Sequence, residues 1–130
     1  MFLLDTNIII YSLKKNQTVI DKFRENRDAV KVISIITYGE LIFGAEKSKN
    51  KIENISRIHR VGEIFPVINL SPAIMNAYGG IKADLQSKGT IIDEFDLLVA
   101  ATAIVGGYTL VTNNIKHFKR IPSLSLENWV

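Results

Sequence analysis

The chain contains no cysteine and only two histidines, His59 and His117. The first absence excludes a disulfide framework, a thiolate metal site and a cysteine nucleophile, and it fits a reducing compartment, with a cytoplasmic location the expectation. With so few histidines a multi-histidine zinc site is not expected. Any metal must be held mainly by oxygen, which favours Mg²⁺ or Mn²⁺. Proline is scarce, and no repeat, low-complexity tract or Pro/Gly-rich linker offers a boundary, so residues 1–130 read as a single domain. A chain this long buries about two-thirds of its unfolded surface and needs no covalent staple. Long hydrophobic runs are lacking too. The N-terminal apolar stretch is cut by Asp5 and has no basic flank, so it does not read as a signal peptide. Residues 97–115 carry no charge, but Gly106-Gly107 and Thr112-Asn113-Asn114 break them. They read as a buried helix followed by a buried strand and not as a membrane span.

What is present is an alternation of strand and helix. Residues 2–4 form a first strand, and Ile8–Leu13 a short helix. Val19, Ile20 and Phe23 mark a second helical face. Val30, Val32, Ile33 and Ile35 make a β-branched strand, and Thr37 starts a helix carrying Leu41, Ile42 and Ala45. Ile52, Ile55, Ile58 and Val61 recur at helical spacing, and Val67–Leu70 reads as a third strand. Ser71-Pro72 is a capping serine followed by proline at the first helical position, with Gly89 as the stop. Residues 96–105 form an almost wholly apolar helix, Tyr108–Thr112 a strand, and Ser123–Leu126 a last short strand near Trp129. This pattern predicts an α/β fold with a parallel sheet covered on both faces.

Three acids stand at strand-to-helix junctions of that pattern: Asp5, Glu40 and Asp96. Each has an ordinary structural use. Asp5 or Thr6 can cap a helix. Thr37 and Glu40 have the spacing of a capping box. One of Asp93, Glu94 and Asp96 is favoured by the helix dipole. Asp96, however, abuts the buried helix, where an unpaired carboxylate is costly. Asp93 and Glu94 read as exposed loop acids, with Asp93 able to supplement the site. Acids at the carboxyl ends of parallel strands converge where open α/β folds keep their ligands. Like charges so placed repel unless a divalent cation lies between them or one is protonated. A cation there can polarise a phosphoryl oxygen and lower the pKa of water, which points to phosphodiester hydrolysis.

These residues resemble those of the PIN-domain ribonucleases, specifically the VapC-type toxins of bacterial toxin–antitoxin pairs. The resemblance is carried by LDTNIIIY at 4–11, ITYGELIFGA at 36–45, DLLVAATA at 96–103, LVTNNIKHF at 110–118 and LSLENW at 124–129. It implies a PIN-domain-like three-layer sandwich, with a mainly parallel five-stranded sheet between helices. It also implies Mg²⁺- or Mn²⁺-dependent cleavage of RNA, a cognate VapB-type antitoxin and a homodimer. By position, Asp5 and Asp96 match the principal metal ligands and Glu40 the third acid. Glu40, alone or with Asp96, would orient or deprotonate the attacking water. Asn114 stands where many relatives carry a fourth acid, which favours one well-bound ion over two. Thr6, Asn7, Thr112 and Asn114 would position the metal shell or the phosphate.

The net charge is +3, a modest lean toward polyanionic partners. Basic residues cluster at Lys14-Lys15, at Lys47-Lys49-Lys51 and at Lys116 with Lys119-Arg120. Lys116, which follows the last site strand, is the candidate phosphate contact. A carboxylate–metal site does not need His117 as a base, and Phe118 beside it reads as core. Tyr38, Ile42, Phe43 and Ile8–Tyr11 lie near the acids, as core or as a seat for an antitoxin's C-terminal segment. Phosphatases of the haloacid dehalogenase type need a second Asp where Asn7 stands, and receiver domains carry their phospho-accepting Asp on a later strand. A catalytically weak RNA-binding module is the remaining alternative, favoured only by the neutral Asn114.

Overall fold

The computed structural model describes residues 1–130. Five strands, β1 (Phe2–Leu4), β2 (Lys31–Ser34), β3 (Val67–Ile68), β4 (Thr109–Val111) and β5 (Leu126–Glu127), form one sheet in the order β3-β2-β1-β4-β5. Every pairing is parallel. The helices are α1 (Thr6–Leu13), α2 (Gln17–Glu25), α3 (Ile35–Glu46), α4 (Lys51–Ile64), α5 (Pro72–Ser87), α6 (Glu94–Gly106) and α7 (Ile115–Phe118).

The central strands β1, β2 and β4 are largely buried because both their faces are apolar. Successive side chains alternate between faces, and the core divides accordingly. Leu3, Val32 and Leu110 point to one side, against Leu85, Leu97 and Ala100 of α5 and α6. Leu4, Ile33 and Val111 point to the other, against Ile8, Val19, Leu41 and Ile58 of α1 to α4. The result is the expected three-layer sandwich. Trp129, fully buried, ties the C-terminal segment to the second core. Its ring meets Phe2 at 5.1 Å and Phe23 at 5.3 Å, edge to face.

Several element boundaries differ from expectation for local reasons. The helix expected from Thr37 begins at Ile35, because Ser34 ends β2 and its Oγ accepts the Ile36 N–H at 3.0 Å. Thr37 and Glu40 therefore lie inside α3 and do not form a capping box. Asp93 caps α6 by accepting the Phe95 N–H, and Glu94 belongs to the helix, where it pairs with Lys82. Ile52 is 87% exposed although its spacing placed it on the inner face of α4. The last strand falls at Leu126–Glu127, and α7 had no signal in the periodicity. The cap at Ser71-Pro72 forms as expected, with Ser71 Oγ accepting the Ile74 N–H. Helix α6 ends in a left-handed Gly107 (φ 68°), which turns the chain directly into β4.

The order of strands fixes where a site can form. From β1 the chain steps to β2 and β3 on one side, and only later to β4 and β5 on the other. The carboxyl ends of β1 and β4 thus flank the point where the winding reverses, and open parallel sheets bind ligands in that crevice. Pairing of Leu4 with Val111 sets Asp5 beside Thr112 at that point.

Candidate active site

Asp5 is the first residue after β1 and the cap of α1. It is buried, with 5% of its surface exposed. The two uses considered for it, cap and charge at the sheet mouth, coincide. Its Oδ1 accepts the Thr6 N–H at 2.9 Å. Its Oδ2 accepts the Thr112 hydroxyl at 2.8 Å and the Asn7 amide at 3.2 Å. Burial still pushes its pKa up against these donors.

Thr112 is fully buried and closes its hydrogen-bonding capacity inside the protein, since Oγ1 also accepts the Asn114 N–H at 3.0 Å. Asn7 is a strut between strand ends: its amide reaches Asp5, and its Oδ1 accepts the Asn113 N–H at 2.9 Å. These two residues hold Asp5 and the β4 loop in register. Asn114 and Lys116 are exposed at the start of α7.

Glu40 reaches the same crevice from α3. Thr6 Oγ1 donates to Glu40 Oε1 at 2.7 Å and lies 3.2 Å from the buried Thr37 hydroxyl. Thr37 and Glu40 are one helical turn apart, so α3 presents both to Thr6. Burial is the main cause that raises the Glu40 pKa, with the charges of Asp5 and Asp93 adding to it.

Asp96 lies in the first turn of α6. Its pKa is pushed up to about 6, first by burial and then by the charges of Asp5, Asp93 and Glu40. No hydrogen-bond donor offsets that rise. His117 Nε2 stands 3.1 Å from Asp96 Oδ2, but off the line a hydrogen bond requires, so this buried nitrogen has no partner. Burial, followed by the Arg120 charge, lowers the His117 pKa. Periodicity and spacing gave His117 no place in the site; its only signal was a position eight residues after β4 begins.

The three expected acids therefore share one electrostatic neighbourhood, with Asp93 at its edge. No three Asp, Glu or His side chains close into a finished ligand cage. The donor set nevertheless fits a hard divalent cation. It is carboxylate oxygen, no lysine or arginine charge offsets the rise of the Asp96 pKa, and Mg²⁺ needs only one or two carboxylates with water completing its shell.

Next to Glu40, a groove of about 320 Å³ runs between α1, α3 and α4, lined by Ile10, Leu13, Leu41 and Ile58 with Lys14 and Arg57 among its polar members. Tyr38 and Ile42 pack on the core, whereas Phe43 is 64% exposed.

Comparison with known proteins agrees with this fold. The PIN-domain profile matches residues 2–124. The chain belongs to the PIN-domain family, VapC type. Ribonuclease VapC2 of Rickettsia felis is 40% identical, the match covering 99% of this chain and 98% of the relative. The tRNA(fMet)-specific endonuclease VapC of Salmonella typhimurium is 35% identical, covering 98% and 97%. The crystal structure of VapBC2 from Rickettsia felis, bound to a DNA fragment from their promoter, superposes with a TM-score of 0.93 at 39% identity, covering 99% of this chain and 98% of that one. No helix of the PIN fold seen here is long and apolar enough to cross a membrane.

Proposed function

We propose that this VapC-type PIN domain is a cytoplasmic endoribonuclease that hydrolyses RNA with the help of Mg²⁺ or Mn²⁺, and that it acts as the toxin of a toxin–antitoxin pair. The observation that carries the reading is the set of three carboxylates, Asp5, Glu40 and Asp96, delivered to one crevice, each with a pKa raised first by burial and that of Asp96 raised further by the charges of the other two. Asp5 and Asp96 would hold the cation, with Glu40 reaching it directly or through water. When bound, the cation would offset the carboxylate charges and stabilise negative charge on the scissile phosphate.

The protein's own groups divide the remaining work. Asp5 is held rigid by Thr6, Asn7 and Thr112. Glu40 spends Oε1 on Thr6 and keeps Oε2 free. A raised pKa makes Oε2 a suitable acceptor for the proton of the attacking water. Water adds to phosphorus, the bond to the 3′ oxygen breaks, and that oxygen takes a proton from solvent. The products are a 5′-phosphate and a 3′-hydroxyl. Asn114 and Lys116, both exposed beside the crevice, would meet the phosphate backbone.

The antitoxin partner is proposed as a VapB-type chain whose C-terminal segment lies in the apolar groove beside Glu40. The groove's continuity with the site supports this, because a segment seated there would also obstruct RNA. The naming of the Salmonella typhimurium relative for tRNA(fMet) makes initiator tRNA the first substrate to try. A homodimer is part of the same proposal.

The test is cleavage of total RNA and initiator tRNA by wild type, Asp5→Asn and Asp96→Asn, with Mg²⁺, Mn²⁺ or EDTA. Discrete fragments bearing 5′-phosphates, absent with EDTA and in both variants, are expected. Ends carrying 2′,3′-cyclic phosphate would rule out hydrolysis by water. RNA binding without cleavage would leave a catalytically weak binding module.

A further inference from the structure

Asp5 is held by three donors and Glu40 by Thr6, but Asp96 has no comparable support. The residue beside it is His117, whose Nε2 is buried, has no hydrogen-bond partner, and stands 3.1 Å from Asp96 Oδ2. A buried polar atom without a partner is uncommon and costly enough to require a reason.

The opposite side of the ring supplies one. Arg120 Nη2 lies 3.5 Å from His117 Nδ1, and Arg120 Nε donates to the His117 carbonyl at 3.1 Å. A guanidinium can only donate. Nδ1 of a neutral ring must then accept, which leaves the hydrogen on Nε2, the atom facing Asp96. The ring is further fixed by edge-to-face contact with the buried Phe118, at 5.6 Å between centroids.

We infer that His117 is a positioning residue for Asp96, its Nε2–H donating to Asp96 Oδ2 when the carboxylate turns to its ligand, with Arg120 selecting the tautomer. This rests on the proposed cation site in so far as Asp96 is a ligand there. The pairing leaves Asp96 Oδ1 free and gives this carboxylate the outer support that Thr112 and Asn7 give Asp5. Partners of metal ligands at that remove commonly alter metal affinity by about 10- to 100-fold.

The test uses full-length, RNA-free protein. Calorimetric titration with Mn²⁺ compares wild type, His117→Phe and His117→Gln, and nitrogen NMR of the histidine ring reads the tautomer without metal. The expected result is Mn²⁺ binding roughly tenfold weaker in His117→Phe at an unchanged unfolding temperature, largely restored in His117→Gln, whose amide can donate from the Nε2 position. The expected wild-type tautomer is Nε2–H, with its resonance displaced in Asp96→Asn. Equal Mn²⁺ affinity in wild type and His117→Phe overturns the inference, as does an Nδ1–H tautomer. A loss that Gln does not restore assigns the effect to ring packing and also overturns it. If wild type takes up no Mn²⁺, the cation reading itself fails, and the tautomer alone decides whether His117 donates to Asp96.

Discussion

Thr112 Oγ1 donates a 2.8 Å hydrogen bond to Asp5 Oδ2, joining the carboxyl ends of the two strands between which the sheet reverses its winding. The bond is fully inside the protein and links residues 107 positions apart in the chain. It makes the position of the principal acid depend on the pairing of β1 with β4, so the site is assembled only when the sheet is.

Thr112→Val keeps the shape of the side chain and removes its hydroxyl. Asp5, Asn7 and the Asn114 N–H all lose a partner. A buried hydrogen bond to a charged acceptor contributes about 1.5–3 kcal/mol, so denaturant unfolding should show a loss of about 2 kcal/mol, with a fall in RNA cleavage. Thr112→Ser, which keeps the donor and loses one methyl, should cost about 0.8 kcal/mol and keep most activity. A valine variant as stable and active as wild type would show that this bond does not hold Asp5.

The sheet, its parallel sense and the three acids were legible because burial on two faces writes continuous apolar runs, and charges that interrupt such runs stand out. Ser34 was hidden for the same reason. Ile35 and Ile36 after it look like continued strand, and only its hydroxyl on the Ile36 N–H shows that the helix has begun. The roles of Asn7 and Thr112 were also illegible in detail. Both are small polar residues after a strand, and whether they face a phosphate or each other depends on the register of β1 against β4, which pairs residues more than 100 positions apart. His117 lies on a helix of four residues, too short to write any period.

Leu13 is 43% exposed and lines the groove that ends at Glu40. Leu13→Asp puts a charge into an apolar seat without opening the core. Association with the VapB-type partner should weaken by more than about tenfold, as for a central apolar anchor, while cleavage of RNA by the free protein persists. Unchanged association would place the antitoxin elsewhere.

Lys116 is exposed on α7 and, in the proposed substrate path, neutralises a single phosphate. Lys116→Ala should weaken binding of unrelated RNA sequences alike. The slope of log affinity against log salt should fall by about 0.7, the value for one contact on a single strand. An unchanged slope would take Lys116 out of the RNA interface.

Asp96 supplies the pH dependence. Its folded pKa of about 6 lies above the ordinary aspartate value of 3.8. Between those values the folded protein holds a proton that the unfolded chain has released, so stability falls as pH rises through that window. Its contribution is intact below the lower value and lost above the higher one. Asp5 and Glu40, also raised, act in the same direction. In EDTA, Asp96→Asn should therefore be more stable than wild type at pH 7.5 by about 1–2 kcal/mol, or roughly 4–8 °C in Tm. The two proteins should converge near pH 4. Added Mg²⁺ should raise the Tm of wild type and leave Asp96→Asn nearly unchanged, since a ligand stabilises only the state that binds it. Thermal melts across pH in EDTA and in Mg²⁺ measure both effects. A variant no more stable than wild type at pH 7.5 in EDTA would mean that the carboxylates do not strain the cation-free site. The proposed reason for a cation to bind there would then be lost.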